Sequence, residues 1–218
     1  MDQEIAKPLP FVVVCTARCG SQSITKWLGE AGVRATHERI FSNHGDKYAE
    51  QKRLQHQDSD CEVSWCAVPW LSTSRLLRQS CIVHLMRDPW ATLHSLANNV
   101  PLFGDAAKDA MGEKSCVAML VEKQWPAVYQ HDNPYDQAAE YMLAWHQMIQ
   151  HEYASRTVIC HRIEDDPNVL FARMRDVQSG SKWREQFGHV AIGEATVPRP
   201  RLNVKLYGSK PHVSFGLK

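Results

Sequence analysis

The sequence predicts an α/β fold, a three-layer sandwich whose central, mainly parallel sheet carries helices on both faces. Three observations predict it. Apolar runs such as FVVV (residues 11–14) are short and unalternating, which is how strands buried on both faces read. Each run leads into a small polar turn and then apolar residues at helical spacing, as Ile24, Trp27 and Leu28 do after the first. Such units recur along the chain with no internal repeat or low-complexity tract. A chain of 218 residues with 44% hydrophobic and 22% charged content suits one sizeable domain, and 1–218 is read as one.

The first unit, residues 11–28, organises the rest. After the strand come Arg18, Gly20, Ser21, Gln22 and Ser23. The first helical turn presents backbone N–H groups without intrahelical partners, and the helix dipole favours negative charge there. Gly20 allows close approach of the backbone, Arg18 supplies a planar cationic fork, and Ser21 and Ser23 add hydroxyls. The expected ligand is phosphate-like; the structural alternative is an ordinary strand-to-helix turn capped by Ser21. Neither G-x-x-x-x-G-K-[ST] nor G-x-G-x-x-G occurs, so this is neither a Walker loop nor a dinucleotide fingerprint.

A second corner answers the first. Residues 81–98 read CIVHLMRDPWATLHSLAN: a buried strand, then Arg87-Asp88-Pro89, then a helix. Asp88 suits the cap and Pro89 the first turn, which leaves Arg87 at the carboxyl end of the sheet, where ligands of open α/β sheets bind. Ser95 lies eight residues beyond Arg87, about two turns into the helix. Two corners, each with an arginine and a hydroxyl, could hold two phosphate groups of one ligand.

These residues resemble the PAPS-dependent sulfotransferases, which transfer sulfuryl from 3′-phosphoadenosine 5′-phosphosulfate (PAPS) and release the bisphosphate PAP. Arg18-Cys19-Gly20-Ser21-Gln22-Ser23 is similar to that family's loop [K/R]-S-G-[T/S]-[T/S], which holds the 5′-phosphosulfate. Arg87-Asp88-Pro89 with Ser95 matches its R-D-P-x-x-x-x-x-S segment, which binds the 3′-phosphate. Cys19 and Gln22 depart from the usual hydroxyl residues, which leaves their backbone amides as the expected contacts. The resemblance implies a P-loop-NTPase-like sheet and PAPS as donor. It also implies an acid about twenty residues after the loop cation, and Glu38 follows Arg18 by twenty. Glu38 is thus the candidate base, with Arg18 stabilising charge on the leaving phosphate and His37 as the alternative base. The structural alternative for Glu38 is a surface pair with Arg39.

The remaining elements follow in order. A short strand is expected over 33–36, a polar helix or loop over 43–60, and a strand over 62–68 that turns into a helix through Leu77. Residues 99–134 read as packed helical pieces. A clear helix covers 135–154, with Ala138, Tyr141, Met142, Trp145, Met148 and Ile149 on one core-facing stripe. A strand over 157–162 leads to Glu164-Asp165, a pair that in the look-alike family ties the sheet edge to a neighbouring helix. A helix then spans 170–177. In the tail, Gly208-Ser209-Lys210 is the candidate loop over the 3′-phosphate, so Lys210 joins the binding set; a solvated basic tail is the alternative.

Composition excludes several classes. A formal charge of +1 argues against a bulk nucleic-acid binder. There is no long apolar run or leader pattern. Seven cysteines, an odd number and several in strands, read as free thiols of a reducing compartment, and the expected location is cytoplasmic. Cys19, at a helix N-terminus beside Arg18, is expected to have a depressed thiol pKa. His146 and His151 are five apart and no H-E-x-x-H occurs, so no metal site is expected. The acceptor is read as a small molecule or glycan. The rival readings are a P-loop-type kinase, which lacks its Lys after the glycine, and a non-catalytic PAP-binding module.

Overall fold

The computed structural model describes residues 5–99, 102–103 and 115–194. Five strands form one sheet: β1 (Phe11–Val14), β2 (Ala35–His37), β3 (Cys61–Val63), β4 (Cys81–Met86) and β5 (Val158–Arg162). They lie in the order β2-β3-β1-β4-β5, and every pairing is parallel. β1 is the middle strand, and all four of its residues are 0% exposed. Burial on both faces removes any reason for polar alternation, which is why FVVV reads as it does. Each such side chain contributes about 1.5–3 kcal/mol relative to an exposed position.

Among the described residues, seven α-helices surround the sheet: α1 (Ser21–Glu30), α2 (Ala49–Gln55), α3 (Pro89–Asn99), α4 (Cys116–Gln124), α5 (Pro134–His151), α6 (Pro167–Ser179) and α7 (Ser181–Phe187). They occupy both faces. Phe11 packs on Trp183 of α7 with ring centroids 5.1 Å apart, whereas Val14 pairs with His84, whose imidazole meets His146 of α5. Side chains alternate along a strand and paired residues point the same way, so α7 and α5 cover opposite sides. The α/β reading with helices on both faces therefore holds.

α5 begins as its sequence suggests, with Pro134 in the first turn and Asn133 accepting the Tyr135 amide at 2.8 Å. Ala138, Tyr141, Trp145 and Ile149 are buried, and Met142 and Met148 are partly buried against the same core. The Trp145 indole donates to the Trp65 carbonyl at 3.0 Å.

The segment after β3 departs from expectation. The strand ends at Val63, and residues 65–70 form a 3-10 helix rather than more strand. Ser64 stops the strand: its hydroxyl accepts the Cys66 amide at 3.1 Å and caps the new turn. A short apolar run has the same appearance in a buried strand and a buried helical turn, so the sequence could not separate them. No regular helix continues to Leu77 either. Residues 71–79 form turns, held by Arg156, which donates to the carbonyls of Leu71 at 2.9 Å and Ser80 at 2.8 Å. Among the described residues, no helix is long and apolar enough to cross a membrane.

Candidate active site

The loop between β1 and α1 is shaped by two left-handed residues. Arg18 has φ 67° and Gly20 has φ 90°. Gly20 is the N-cap of α1 and makes no side-chain cap, so the structural alternative, a turn capped by Ser21, does not occur. Its carbonyl accepts the Ile24 amide at 3.1 Å, the first bond of the helix. The amides of Gly20, Ser21, Gln22 and Ser23 precede that bond and have no intrahelical acceptor. Gln22 and Ser23 are exposed. From below, Tyr141 fixes the loop: its hydroxyl accepts the Ala17 amide at 3.0 Å.

Gly20 is also a steric requirement. A Cβ there would lie 2.9 Å from Cγ1 of Ile163, the residue after β5. Gly20→Ala should therefore lower the unfolding free energy by about 2 kcal/mol, combining the left-handed backbone with the overlap. Denaturant unfolding would check this; a loss under about 0.5 kcal/mol, the size of an ordinary surface substitution, would show that the loop accommodates the methyl group.

The two arginine corners meet. Nη1 of Arg87 donates to the Arg18 carbonyl at 2.9 Å, and Nε of Arg18 donates to the Ser95 hydroxyl at 3.0 Å. Residues 69 and 77 apart in sequence thus share one end of the sheet. Asp88 caps α3 by accepting the Ala91 amide at 2.7 Å. Glu164, just beyond β5, accepts the Asp88 amide at 2.9 Å. The corner after β5 hence supports both others, Ile163 under the glycine loop and Glu164 under the Arg-Asp-Pro turn.

The end of β2 and the residue after it bring His37 and Glu38 to the same edge. Nε2 of His37 lies 2.9 Å from the Ser21 hydroxyl and 3.8 Å from Oε1 of Glu38. Both partners face one nitrogen, so this is not a Ser-His-acid relay, in which the acid orients the imidazole through its other nitrogen. Glu38 has φ 51°. Burial raises its carboxyl pKa above the usual value, opposed by His37 and by a hydrogen bond from Trp65. A half-buried carboxylate with raised basicity is equipped to take a proton.

Cys19 corrects the sequence expectation. The residue is 1% exposed, and its thiol lies 3.0 Å from the Thr16 hydroxyl. Burial raises its pKa, outweighing hydrogen bonds from Thr16 and Thr92 and the charge of Arg87. The side chain turns into the core rather than towards the helix N-terminus, so the cation beside it in sequence does not set its chemistry. Cys19 can offer the site its amide alone.

Lys210 lies outside the described residues. No group of three or more metal-ligating side chains occurs among the described residues. Two cavities, about 240 and 280 Å³, lie away from this edge, one lined by Arg34, His56 and Asp58, the other by Val68, Trp125 and Met148.

No protein-family model and no curated protein matches the chain. Among solved structures, the crystal structure of a sulfotransferase from Alicyclobacillus acidocaldarius is similar. The two are 13% identical, with 88% of this chain and 86% of that one covered and a TM-score of 0.44.

One contributor went unread in the sequence. Glu62, on β3, is 0% exposed and accepts the amides of Ile40 and Phe41. An acid among Cys61, Val63 and Trp65 was the available signal, since a buried carboxylate needs a specific set of donors. Ser64, by contrast, is a buried cap whose hydroxyl donates to the Phe41 carbonyl at 2.8 Å.

Proposed function

We propose that the chain is a sulfotransferase that moves the sulfuryl group of PAPS to a hydroxyl or amine of a small-molecule or glycan acceptor. The observation that carries this reading is the direct contact between the corners, Arg87 on the Arg18 backbone and Arg18 on Ser95. One ligand with two separated phosphate groups can then lie across both. The amides of residues 20–23 and the Arg18 guanidinium would receive the 5′-phosphosulfate, with Ser21 and Ser23 adding hydroxyl donors. Arg87 and Ser95 would receive the 3′-phosphate, with Lys210 as a further proposed contact from the tail.

In the transfer, the acceptor oxygen or nitrogen forms a bond to sulfur while the bond from sulfur to the 5′-phosphate oxygen breaks. Glu38 takes the acceptor's proton, and PAP leaves with the electron pair on its phosphate. Arg18 and the loop amides stabilise that developing charge. His37, between Ser21 and Glu38, orients the carboxylate and is the second candidate for the proton. No step needs a metal. The six free thiols among the described residues support placing the chain in the reducing cytoplasm.

A thermal-shift screen of PAP, PAPS, ATP and AMP tests the reading, followed by titration of Arg87→Ala. PAP and AMP differ in the 3′-phosphate, so loss of Arg87 should weaken PAP by about thirtyfold, or about 2 kcal/mol for a charged hydrogen bond, and leave AMP nearly unchanged. Equal losses for both nucleotides would remove the 3′-phosphate assignment. ATP-dependent phosphate transfer without response to PAPS would select a kinase. Tight PAP binding with no sulfation across a broad acceptor panel would select a binding module.

A further inference from the structure

Three consecutive residues at the end of β3 hold the turn that carries Glu38. The Val63 carbonyl accepts the Glu38 amide at 3.1 Å. The Ser64 hydroxyl donates to the Phe41 carbonyl at 2.8 Å. Oε1 of Glu62 accepts the amides of Ile40 at 3.0 Å and Phe41 at 3.1 Å. Its other oxygen receives the Thr36 hydroxyl, from the neighbouring position of β2.

This is an unusual use of a central sheet position. Glu62 pairs with Val12 on one side and Thr36 on the other, and it has no exposed surface. A carboxylate taken out of water is costly even when hydrogen-bonded, and apolar residues fill such positions more favourably. Burial accordingly pushes the Glu62 carboxyl up to about 7, against the pull of its hydrogen bonds. What the acid supplies, and an apolar residue cannot, is a set of acceptors for consecutive amides of a turn that makes no ladder of its own.

We propose that Glu62 is the positioning residue of the site. By gripping the amides of Ile40 and Phe41, it holds Glu38 in its left-handed conformation, with its carboxylate beside His37 and Trp65. This rests on the reading of Glu38 as the base. Glu62 touches no substrate and acts through the turn.

Two variants test it. Glu62→Gln keeps a carbonyl oxygen for the amides and an NH₂ group for Thr36; Glu62→Met keeps the bulk and offers no comparable acceptor. The Met variant should lose amide-exchange protection at Ile40 and Phe41. Its kcat should fall about a hundredfold, as expected when a catalytic group is displaced by about 1 Å, with PAP affinity unchanged. The Gln variant should keep most of the protection and most of the turnover. A Met variant with wild-type kcat, wild-type protection in that variant, or PAP affinity falling in step with kcat would each overturn the proposal. Amide exchange needs no turnover, so an inactive wild-type protein would remove the sulfotransferase reading while protection at Ile40 and Phe41 still decided whether Glu62 holds the turn.

Discussion

Glu38→Gln should bind PAP as tightly as the wild type and turn over about a thousandfold more slowly, the middle of the range for a lost general base. The amide is isosteric with the acid and keeps the contact to Trp65, so the turn after β2 should stay in place. What disappears is the ability to accept a proton. Since burial raises the Glu38 pKa, the wild-type kcat should fall on its acid side at a pH above the ordinary carboxylate range. That limb should be absent from the residual activity of the Gln variant. Full turnover in Glu38→Gln would transfer the role to His37, and His37→Asn would then be the inactive variant. Loss of PAP binding together with kcat would instead mean that Glu38 shapes the nucleotide site.

The second large effect concerns stability in acid. His84, on the middle of β4, is 1% exposed. One nitrogen faces Tyr153 and the other lies 2.8 Å from Nδ1 of His146, while Tyr153 in turn meets the Cys160 thiol at 3.2 Å. None of these partners stabilises a buried imidazolium. Burial, with the charge His146 can carry, therefore lowers the His84 pKa to about 4, and burial lowers that of His146 as well.

The consequence has a definite sign. Above the unfolded pKa both states are neutral and His84 contributes no pH dependence. As the pH falls below that value, the unfolded chain takes up the proton first, so stability is lost down to the folded pKa. For His84 this amounts to about 3 kcal/mol. Glu62 works the other way over an overlapping window: its folded pKa is raised, so protonation as the pH falls towards its unfolded value favours the folded state. The wild-type curve sums the two opposing effects, and a comparison with His84→Asn isolates one. That variant should be less stable than the wild type at pH 7, and its deficit should shrink by about 3 kcal/mol by pH 4. Urea unfolding at several pH values measures it. A deficit constant with pH would mean that His84 is already charged, or already solvated, in the folded protein.

The parts of the molecule that could be read in advance are those whose signal is local. FVVV announces a doubly covered strand because its neighbours on both faces are apolar, whatever they are. Asp88 and Pro89 announce a helix start because capping involves the next few residues, and Ala91 donates to Asp88 as the pattern implies. The α5 stripe is legible for the same reason, since Tyr141 and Trp145 sit one turn apart on a single face. The strand-to-3-10 switch at Ser64 was not legible, because Trp65, Cys66, Ala67 and Val68 are buried and a short apolar run reads the same in a buried strand and a buried helical turn. Cys19 was misread because a helix N-terminus next to an arginine describes backbone neighbours, whereas the thiol's surroundings are set by Thr16 and Thr92.

By itself, the sequence determined the buried β1 strand, the α5 stripe, the Arg-Asp-Pro corner and the residue types available to bind an anion. Only the tertiary structure decided that Arg87 rests on the backbone of Arg18, that Ile163 requires Gly20 to be glycine, and that Glu62 grips the turn bearing Glu38. The division has one physical cause. Periodicity, caps and turns are written in residues a few positions apart, whereas these contacts join segments 20 or more residues apart, and which segments meet is set by the order of strands in the sheet.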